Sequence, residues 1–292
     1  MWLWLFLILF LVLLFVLVYF DCYRYYWINH EDVYRLDKEY QKRPKIKNCV
    51  ISLTSTPDRL LEIKPTIMSL LNSSCSVEAI EINIPRYSTK GQKYKIPKWL
   101  KKLKSVKIHR IEKDLGPATK LLPTLRRSKN NRKIIVVDDD VIYGYYTIEN
   151  LVSCYQKYNR GKRKIAVTIY GDKIGKDDKM DYSWTTRIGN YCWGETWTDV
   201  LRGHSGYLVT PDMFNRSIHN YNGLPKEAFF VDDNYFSWHL KKNRVKILMI
   251  GLLYRSVPLP SLNNCFIDGL HAQYNGNGEN ERKVNRYFRK QK

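Results

Sequence analysis

The chain lacks the residue patterns that define several protein classes. Its six cysteines include no close pair and no Cys/His group at zinc-binding spacing, which excludes a zinc-finger protein and leaves the redox compartment open. Internal repeats and low-complexity tracts are also missing from the sequence, which excludes a repeat architecture. The 292 residues therefore suit a membrane segment followed by one large domain.

Charged side chains are absent from the first twenty residues, which are almost wholly Leu, Phe, Val, Ile and Trp. A helix of that length is about 30 Å long, the thickness of the hydrocarbon core of a bilayer. Trp2 and Trp4 lie at one end and aromatic residues 19–27 crowd the other, as at the two interfaces of a spanning helix. The basic start and small-residue cleavage site of a secretory signal are missing.

These features predict a single-pass membrane protein whose anchor, residues 1–20, has the lipid bilayer as its partner. A polar stalk would follow at residues 21–47, and a globular domain would occupy residues 48–292. The sidedness stays open. Basic residues follow the anchor and none precedes it, which favours a cytoplasmic domain, but acidic residues are mixed among them. Glycosylation sequons at Asn72 and Asn215 would matter only in a lumen.

Acidic residues are scarce, with 28 Asp and Glu against 49 Lys and Arg, so the net charge is +21. Such a balance attracts nucleic acid, anionic lipid or acidic substrates. Basic residues nevertheless occur in nearly every segment, and no recognisable RNA- or DNA-binding motif is present. A generally solvated basic surface is therefore favoured, and no specific nucleic-acid partner is expected. A membrane-tethered protein that binds nucleic acid or another polyanion remains the alternative.

Hydrophobic patterning predicts an α/β fold with a mostly parallel sheet covered by helices on both faces. Apolar, β-branched runs predict strands at residues 48–54, 79–84, 106–111, 133–137, 164–170 and 245–250. Helical spacing predicts helices at residues 60–71, broken at Pro65, and at residues 145–158 and 228–240.

The predicted strand at residues 133–137 runs directly into Asp138, Asp139 and Asp140. Ligands of open α/β sheets collect at the carboxyl ends of the strands. Because side chains alternate along an extended chain, Asp138 and Asp140 would point one way and Asp139 the other. The first pair would suit a hard divalent ion such as Mg²⁺ or Mn²⁺. A solvated acidic turn is the competing interpretation, and so is a two-metal nuclease or polymerase site.

Other polar residues follow predicted strands or open predicted helices. Residues 116–120 begin with Gly-Pro and end with Lys120, and free N–H groups there would suit phosphate oxygens, although an ordinary loop explains them equally well. Thr54 and Arg59 follow the first strand and are candidates to hold a base or ribose. Asp232 and Asp233 open a predicted helix, where a carboxylate acts either as a general base or as a helix cap.

In their order along the chain, these pieces resemble the metal-dependent glycosyltransferases of the GT-A fold, over about residues 48–275. The matching segments are residues 51–59, 114–123, 136–143 and 203–211 together with Asp232-Asp233. By that resemblance, Asp138 and Asp140 would bind Mn²⁺ or Mg²⁺, with His271 as a third ligand. Asp233 would be the general base, with Asp232 as the other candidate. The donor would contact Thr54, Arg59, Asp114, Lys120, Asp138 and Asp139.

The resemblance also implies a reaction and a cellular setting. The domain at residues 48–292 would move a sugar from a nucleotide-sugar donor to a hydroxyl of a glycan, glycoprotein or lipid. Asp232 and Asp233 would place a base on the side opposite the leaving group, which predicts inversion. A UDP-sugar is the preferred donor. Gly206 and Trp193 would contact the acceptor, although aromatic residues of this region suit core packing equally well. The anchored layout is typical of enzymes in Golgi, endoplasmic-reticulum or other intracellular membranes.

Overall fold

A computed structural model describes residues 2–159, 164–181, 195–250, 257–258 and 278–291 of the chain. For residues 15–26 it describes the backbone and not the side chains. The helices within these ranges are α1 (Trp2–His30), α2 (Val33–Lys42), α3 (Arg59–Glu62), α4 (Lys64–Leu71), α5 (Lys98–Lys102), α6 (Leu122–Arg127), α7 (Thr147–Tyr158), α8 (Asp232–Lys242) and α9 (Glu279–Arg289).

Strands occur throughout the same ranges. They are β1 (Cys49–Thr54), β2 (Ala79–Pro85), β3 (Val106–Ile111), β4 (Lys133–Val136), β5 (Val141–Ile142), β6 (Ile165–Thr168), β7 (Gly171–Ile174), β8 (Met180–Asp181), β9 (Thr196–Thr198), β10 (Val200–Leu201), β11 (Tyr207–Val209), β12 (Lys246–Met249) and β13 (Val257–Pro258).

The main sheet has eight strands in the order β3-β2-β1-β4-β11-β6-β12-β9. The pairs β3–β2, β2–β1, β1–β4 and β6–β12 are parallel, and the three pairs made by β11 and β9 are antiparallel. The predicted α/β fold with a mostly parallel sheet is therefore confirmed. Because β1 and β4 are parallel neighbours, the segments that follow their carboxyl ends meet at one edge of the sheet.

Buried side chains alternate across β1 and fill both faces of the sheet. Ile51 and Leu53 belong to the cluster that also holds residues of α2, α4 and α7. Val50 belongs to the opposite cluster, which holds Tyr235 and Leu240 of α8. This alternation explains why the strand reads as a continuous apolar run, since both of its faces are covered.

The N-terminal helix α1 carries exposed apolar side chains from Trp2 to Leu14, whereas Ile28 near its end is fully buried in the domain. Within the described part of the chain, no helix combines the length and apolar character needed to span a membrane. Helix α2 packs Val33, Leu36 and Tyr40 onto the core. The division into anchor, stalk and catalytic domain stays a prediction.

The C-terminal helix α9 is held against α8 by buried polar contacts. Arg202 is 6% exposed and pairs with Asp172 at 2.5 Å and with Glu281 of α9 at 2.8 Å. The side-chain oxygen of Asn285 accepts hydrogen bonds from Asn234 and Trp238, each at 3.0 Å. Removing one member of such a buried pair leaves an uncompensated charge, so these contacts make α9 part of the domain.

An aromatic cluster between α8 and α9 contains His239, whose ring lies 4.6 Å from Tyr235 and 6.1 Å from Phe288. Burial, with nearby Lys242 and His219, lowers the pKa of His239 from 6.5 to about 4. The unfolded chain therefore binds a proton between these pH values that the folded chain does not, so the free energy of unfolding falls as the pH falls.

We expect His239→Phe to lose less stability between pH 7 and pH 4.5 than the native chain does, by on the order of 2 kcal/mol. Urea unfolding at several pH values measures this, with His30→Phe as the control at an exposed histidine. Equal acid dependence of His239→Phe and the native chain would contradict the assignment.

Candidate active site

The acidic segment that follows β4 is fixed to the segment that follows β1. Arg59, the first residue of α3, donates to Asp139 at 3.0 Å and to Asp140 at 2.8 Å. The hydroxyl of Ser55 donates to the other carboxylate oxygen of Asp139 at 2.5 Å, and Thr66 donates to its carbonyl oxygen at 2.8 Å. Asp139 therefore joins the two strand ends from inside the protein.

Asp138 and Asp140 are more accessible than the residue between them. Their side chains are 27% and 21% exposed, against 7% for Asp139. The alternation expected of an extended segment is thus present, although β4 itself ends at Val136. The backbone N–H of Asp138 donates to the hydroxyl of Tyr143 at 2.8 Å, so this buried tyrosine helps to orient the acidic segment.

Lys120 joins the acidic segment to the start of α8. Its Nζ lies 2.9 Å from Asp138 Oδ1, 3.0 Å from Asp232 Oδ2 and 3.4 Å from Asp233 Oδ1. Burial favours the neutral amine, but the three carboxylates outweigh that effect and raise the pKa of Lys120 well above its usual value. The ammonium group is therefore charged and forms ion pairs with these three carboxylates. The sequence analysis had predicted instead that Lys120 contacts the donor.

The turn that carries Lys120 is shaped by Asp114 and Gly116. Asp114 accepts the N–H of Thr89 at 2.8 Å and that of Gly116 at 2.9 Å, so its carboxylate organises the loop. Gly116 has φ +61°, and a Cβ there would lie 2.7 Å from the ring of Phe229. Ser52 of β1 donates to the carbonyl of Lys120 at 2.5 Å. Both the strand and the loop thus hold the lysine in place.

Thr54, another predicted donor contact, donates its hydroxyl to the carbonyl of Asn83 at 2.8 Å and lies at the end of β1. Gly206 lies just before β11 with φ +92°, and its N–H donates to the carbonyl of Gly203 at 3.0 Å. Trp193 and His271 lie outside the described residues.

The two acids that open α8 do not cap it. Val231 occupies the cap position, and no side chain caps the helix there. Asp233 Oδ2 instead accepts the N–H of Gly203 at 3.0 Å, across the site. The helix-capping interpretation of this pair therefore does not account for Asp233.

The pKa values of Asp232 and Asp233 move in opposite directions. Burial, together with the like charges of Asp233 and Asp138, raises the pKa of Asp232 to about 7 against the opposing effect of Lys120. For Asp233, burial acts in the same upward direction, but Lys120, Arg202 and the N–H of Gly203 outweigh it and lower its pKa. Asp233 is the more exposed of the two side chains, at 15% against 8%. The ionised carboxylate thus lies nearer the solvent.

Gly203 lies in the site, although the sequence analysis did not predict a contact for it. A Cβ at this position would overlap Lys120 Nζ and lie 2.9 Å from Asp138 Oδ1. The sequence did contain a hint of this contact, because Gly203 and Gly206 lack a Cβ and so permit the backbone to approach another group closely. Next to it, His204 is exposed and presents its ring 5.6 Å from that of Tyr170.

Two carboxylates of the acidic segment fit a divalent ion. Burial, followed by repulsion from Asp139, raises the pKa of Asp140 to about 6 even though Arg59 opposes the change. The carboxylates of this segment thus repel one another in a partly buried place, where a bound cation would offset the repulsion. Mg²⁺ is commonly held by one or two carboxylates together with water and substrate phosphates, which Asp138 and Asp140 suit. Among the described residues, no group of three His, Cys, Asp or Glu side chains is arranged to hold a metal.

The chain is similar to several solved structures in fold, but comparisons of its sequence found no relative. No family model matches the chain, and no curated protein matches its sequence. It is similar to the crystal structure of GalNAc-T7 with UDP, GalNAc and Mn²⁺, at 12% identity and a TM-score of 0.48 over 74% of this chain. It is also similar to S. aureus TarS 1–349, at 12% identity and a TM-score of 0.44 over 73% of this chain.

A mycobacterial protein is similar at 12% identity and a TM-score of 0.40, over 80% of this chain and 74% of that one. The chain spans 43% of the GalNAc-T7 structure and 60% of the TarS structure. Likenesses at this level concern the course of the backbone and do not establish an activity.

Proposed function

We propose that the chain is a glycosyltransferase of the GT-A type that moves a sugar from a nucleotide sugar to a hydroxyl acceptor. The observation that supports this most is the meeting of two acidic segments at Lys120. Asp138 follows the central strand β4, Asp233 opens α8, and both lie within 3.4 Å of the same buried ammonium group. One segment can serve the donor diphosphate and the other the acceptor hydroxyl.

On the donor side, Asp138 and Asp140 would hold the divalent ion. When bound, Mn²⁺ or Mg²⁺ supplies positive charge that stabilises the leaving nucleoside diphosphate. Arg59 pairs with Asp140 at 2.8 Å and Lys120 pairs with Asp138 at 2.9 Å, so both carboxylates are already positioned in the folded chain. Preorganised charge of this kind contributes most of its effect in the transition state.

On the acceptor side, Asp233 would take the proton of the attacking hydroxyl. The acceptor oxygen forms a bond to the anomeric carbon as the bond from that carbon to the diphosphate oxygen breaks. The proton goes to the carboxylate, and the bonding electrons leave with the nucleoside diphosphate. Asp233 is the candidate because its side chain is the more exposed of the two acids, at 15% against 8% for Asp232, and is ionised. Lys120, Arg202 and the N–H of Gly203 lower its pKa, which makes it a weaker base than an ordinary carboxylate, so Asp232, whose pKa is raised to about 7, stays the other candidate. Attack opposite the leaving group inverts the anomeric centre.

A UDP-sugar is the proposed donor, and the acceptor is a hydroxyl of a glycan, glycoprotein or lipid. Thr54, Arg59, Asp114, Lys120, Asp138 and Asp139 remain proposed as donor-side residues. Of these, Arg59, Lys120 and Asp139 would act by holding the acidic segment in place, since their charged groups already pair with one another or with Asp138. We also propose that residues 1–20 anchor the chain in an intracellular membrane.

Gly203→Ala is expected to lower sugar-transfer activity by about 100-fold, because displacing a positioned group by about 1 Å has effects of that size. The new methyl group would push Lys120 away from Asp138. Transfer rates of the purified full chain measure this effect. Gly175→Ala, whose Cβ would have 3.2 Å to Asp177, is the matched control. Normal activity of Gly203→Ala would contradict the close contact with Lys120.

Ligand-induced stabilisation tests the proposed function directly. The full chain is heated with UDP, GDP, CDP or ADP, each with and without Mn²⁺. We expect one nucleoside diphosphate to raise the melting temperature only when Mn²⁺ is present, since a ligand at 100 times its dissociation constant stabilises by about 2.7 kcal/mol. No shift with any of them would contradict the proposal, as would a shift that persists in a chelator.

A further inference from the structure

We propose that five exposed lysines of α5, β3 and the turn between them bind the anionic headgroups of the bilayer that holds the proposed anchor. They are Lys98, Lys101, Lys102, Lys104 and Lys107, named here the basic face. The proposal rests on the proposed anchor at residues 1–20 and is independent of the transfer reaction.

Positive charge is concentrated in one part of the chain. Residues 82–111 contain no Asp or Glu, whereas they contain eight Lys and two Arg. These thirty residues therefore carry ten of the net +21 charges. The basic residues are therefore concentrated in one part of the sequence, which contains α5 and β3.

The lysines of the basic face point away from the core. All five are exposed, while Leu100 and Leu103 between them are 1% and 4% exposed and Trp99 packs against the core. Within the described ranges, none of the five forms an ion pair with a carboxylate. Other exposed lysines do, as Lys157 does with Glu195 and Lys164 with Asp212. The basic face therefore carries five exposed positive charges without a direct ion pair among the described residues.

The basic face is fixed to the end of the apolar N-terminal helix. Asp37 of α2, which is 4% exposed, accepts the backbone N–H of Lys104 at 2.9 Å and that of Ser105 at 3.0 Å. Helix α2 begins at Val33, directly after α1 ends at His30. The connection from the apolar helix to the lysines thus runs through buried hydrogen bonds, with no flexible linker between them.

The spacing along α1 places the domain close to the headgroups. Ile28 is buried in the core and lies eight residues after Phe20, the end of the apolar run, which is about 12 Å of helix. Headgroups extend about 6 Å beyond the hydrocarbon on each side. Ile28 would therefore lie about 6 Å beyond the headgroups, a distance shorter than the Debye length of about 8 Å at physiological ionic strength. Leu100 and Leu103, which lie between the lysines of the basic face, belong to the same buried cluster as Ile28, so the proposed anchor holds this part of the domain on the side of the bilayer.

Lysine footprinting of the full chain tests the proposal. The chain is inserted in nanodiscs of phosphatidylcholine alone or of phosphatidylcholine with phosphatidylglycerol, acetylated briefly and analysed by mass spectrometry. We expect acetylation of the basic face to be slower by at least about threefold in the anionic discs, and this difference to vanish at about 0.5 M salt. Lys241 and Lys242, an exposed pair on α8, are the internal control and should react equally in both discs.

Charge reversal gives a second readout. Lys101→Glu with Lys102→Glu should remove the protection of Lys98, Lys104 and Lys107, whereas Lys241→Glu with Lys242→Glu should leave it unchanged. Equal acetylation of the basic face in the two discs overturns the proposal. Stronger protection by a soluble polynucleotide than by anionic lipid also overturns it and assigns the face to nucleic acid. Nucleotide-dependent melting of the same samples reports separately on the proposed transferase activity.

Discussion

Asp233→Asn is expected to lower the rate of sugar transfer by about 100- to 10,000-fold, the range for removal of a general base. Donor affinity should change less than kcat, because the amide oxygen can still accept the N–H of Gly203, and Lys120 keeps Asp138 and Asp232 as partners when its contact with residue 233 is lost. Steady-state kinetics measure both quantities, since kcat reports the loss of the base and the melting shift with nucleoside diphosphate and Mn²⁺ reports donor binding.

Two further variants sharpen this prediction. Asp232→Asn should have a smaller effect on kcat, because the Asp232 side chain is only 8% exposed, against 15% for Asp233, and is less accessible to the acceptor hydroxyl. Asp212→Asn, a carboxylate paired with Lys164 away from the site, should leave kcat unchanged. A larger loss for Asp232→Asn than for Asp233→Asn would move the base to the first residue of the helix.

Asp138→Asn combined with Asp140→Asn is expected to abolish stabilisation by nucleoside diphosphate and Mn²⁺ and to lower transfer by at least about 100-fold. Both carboxylates are partly exposed at the end of β4, and the pKa of Asp140 is raised to about 6 by burial and neighbouring carboxylates. Removing their charge removes the site for the cation. Isothermal titration with Mn²⁺ in the presence of UDP measures the loss.

The double variant needs a control with the same change of net charge. Asp177→Asn with Glu279→Gln provides it, because these side chains are 57% and 51% exposed and lie outside the acidic cluster. The control should bind Mn²⁺ and UDP as the native chain does. If Asp138→Asn with Asp140→Asn binds them equally well, the acidic segment has no role in holding the donor.

Much of the fold was predictable because the signals are local. The strand predicted at residues 106–111 coincides with β3, and the break predicted at Pro65 corresponds to α3 ending at Glu62 and α4 beginning at Lys64. In these segments, hydrophobic runs and proline act within a few residues of the chain.

The antiparallel part of the sheet was less predictable. Strand β11 has three residues and lies between β4 and β6, where it pairs antiparallel with both. Strands β7, β8, β9 and β10 have two to four residues each. Segments this short carry little periodicity, and their pairing depends on residues far away in sequence.

The candidate site was also predictable only in part from local sequence. The aspartates at 138–140 and 232–233 were recognisable from their positions beside predicted elements. The contact of Lys120 with both groups was not, because Asp233 is 113 residues away from Lys120 along the chain. Gly203 was recognisable only as a flexible residue, since its close approach to Lys120 exists only in the folded chain. Spacing along a sequence identifies candidates, whereas the fold decides which of them share a counter-ion.

The central claim is that the two acidic segments joined by Lys120 transfer a sugar from a nucleotide sugar. Incubating the full chain with a panel of nucleotide sugars, a mixture of hydroxyl acceptors and Mn²⁺, and measuring free nucleoside diphosphate together with glycosylated product, tests it most directly. We expect one donor to yield both products in equal amounts, and neither product to form in a chelator. Formation of neither product from any donor, or undiminished formation by Asp138→Asn with Asp140→Asn, would contradict the claim.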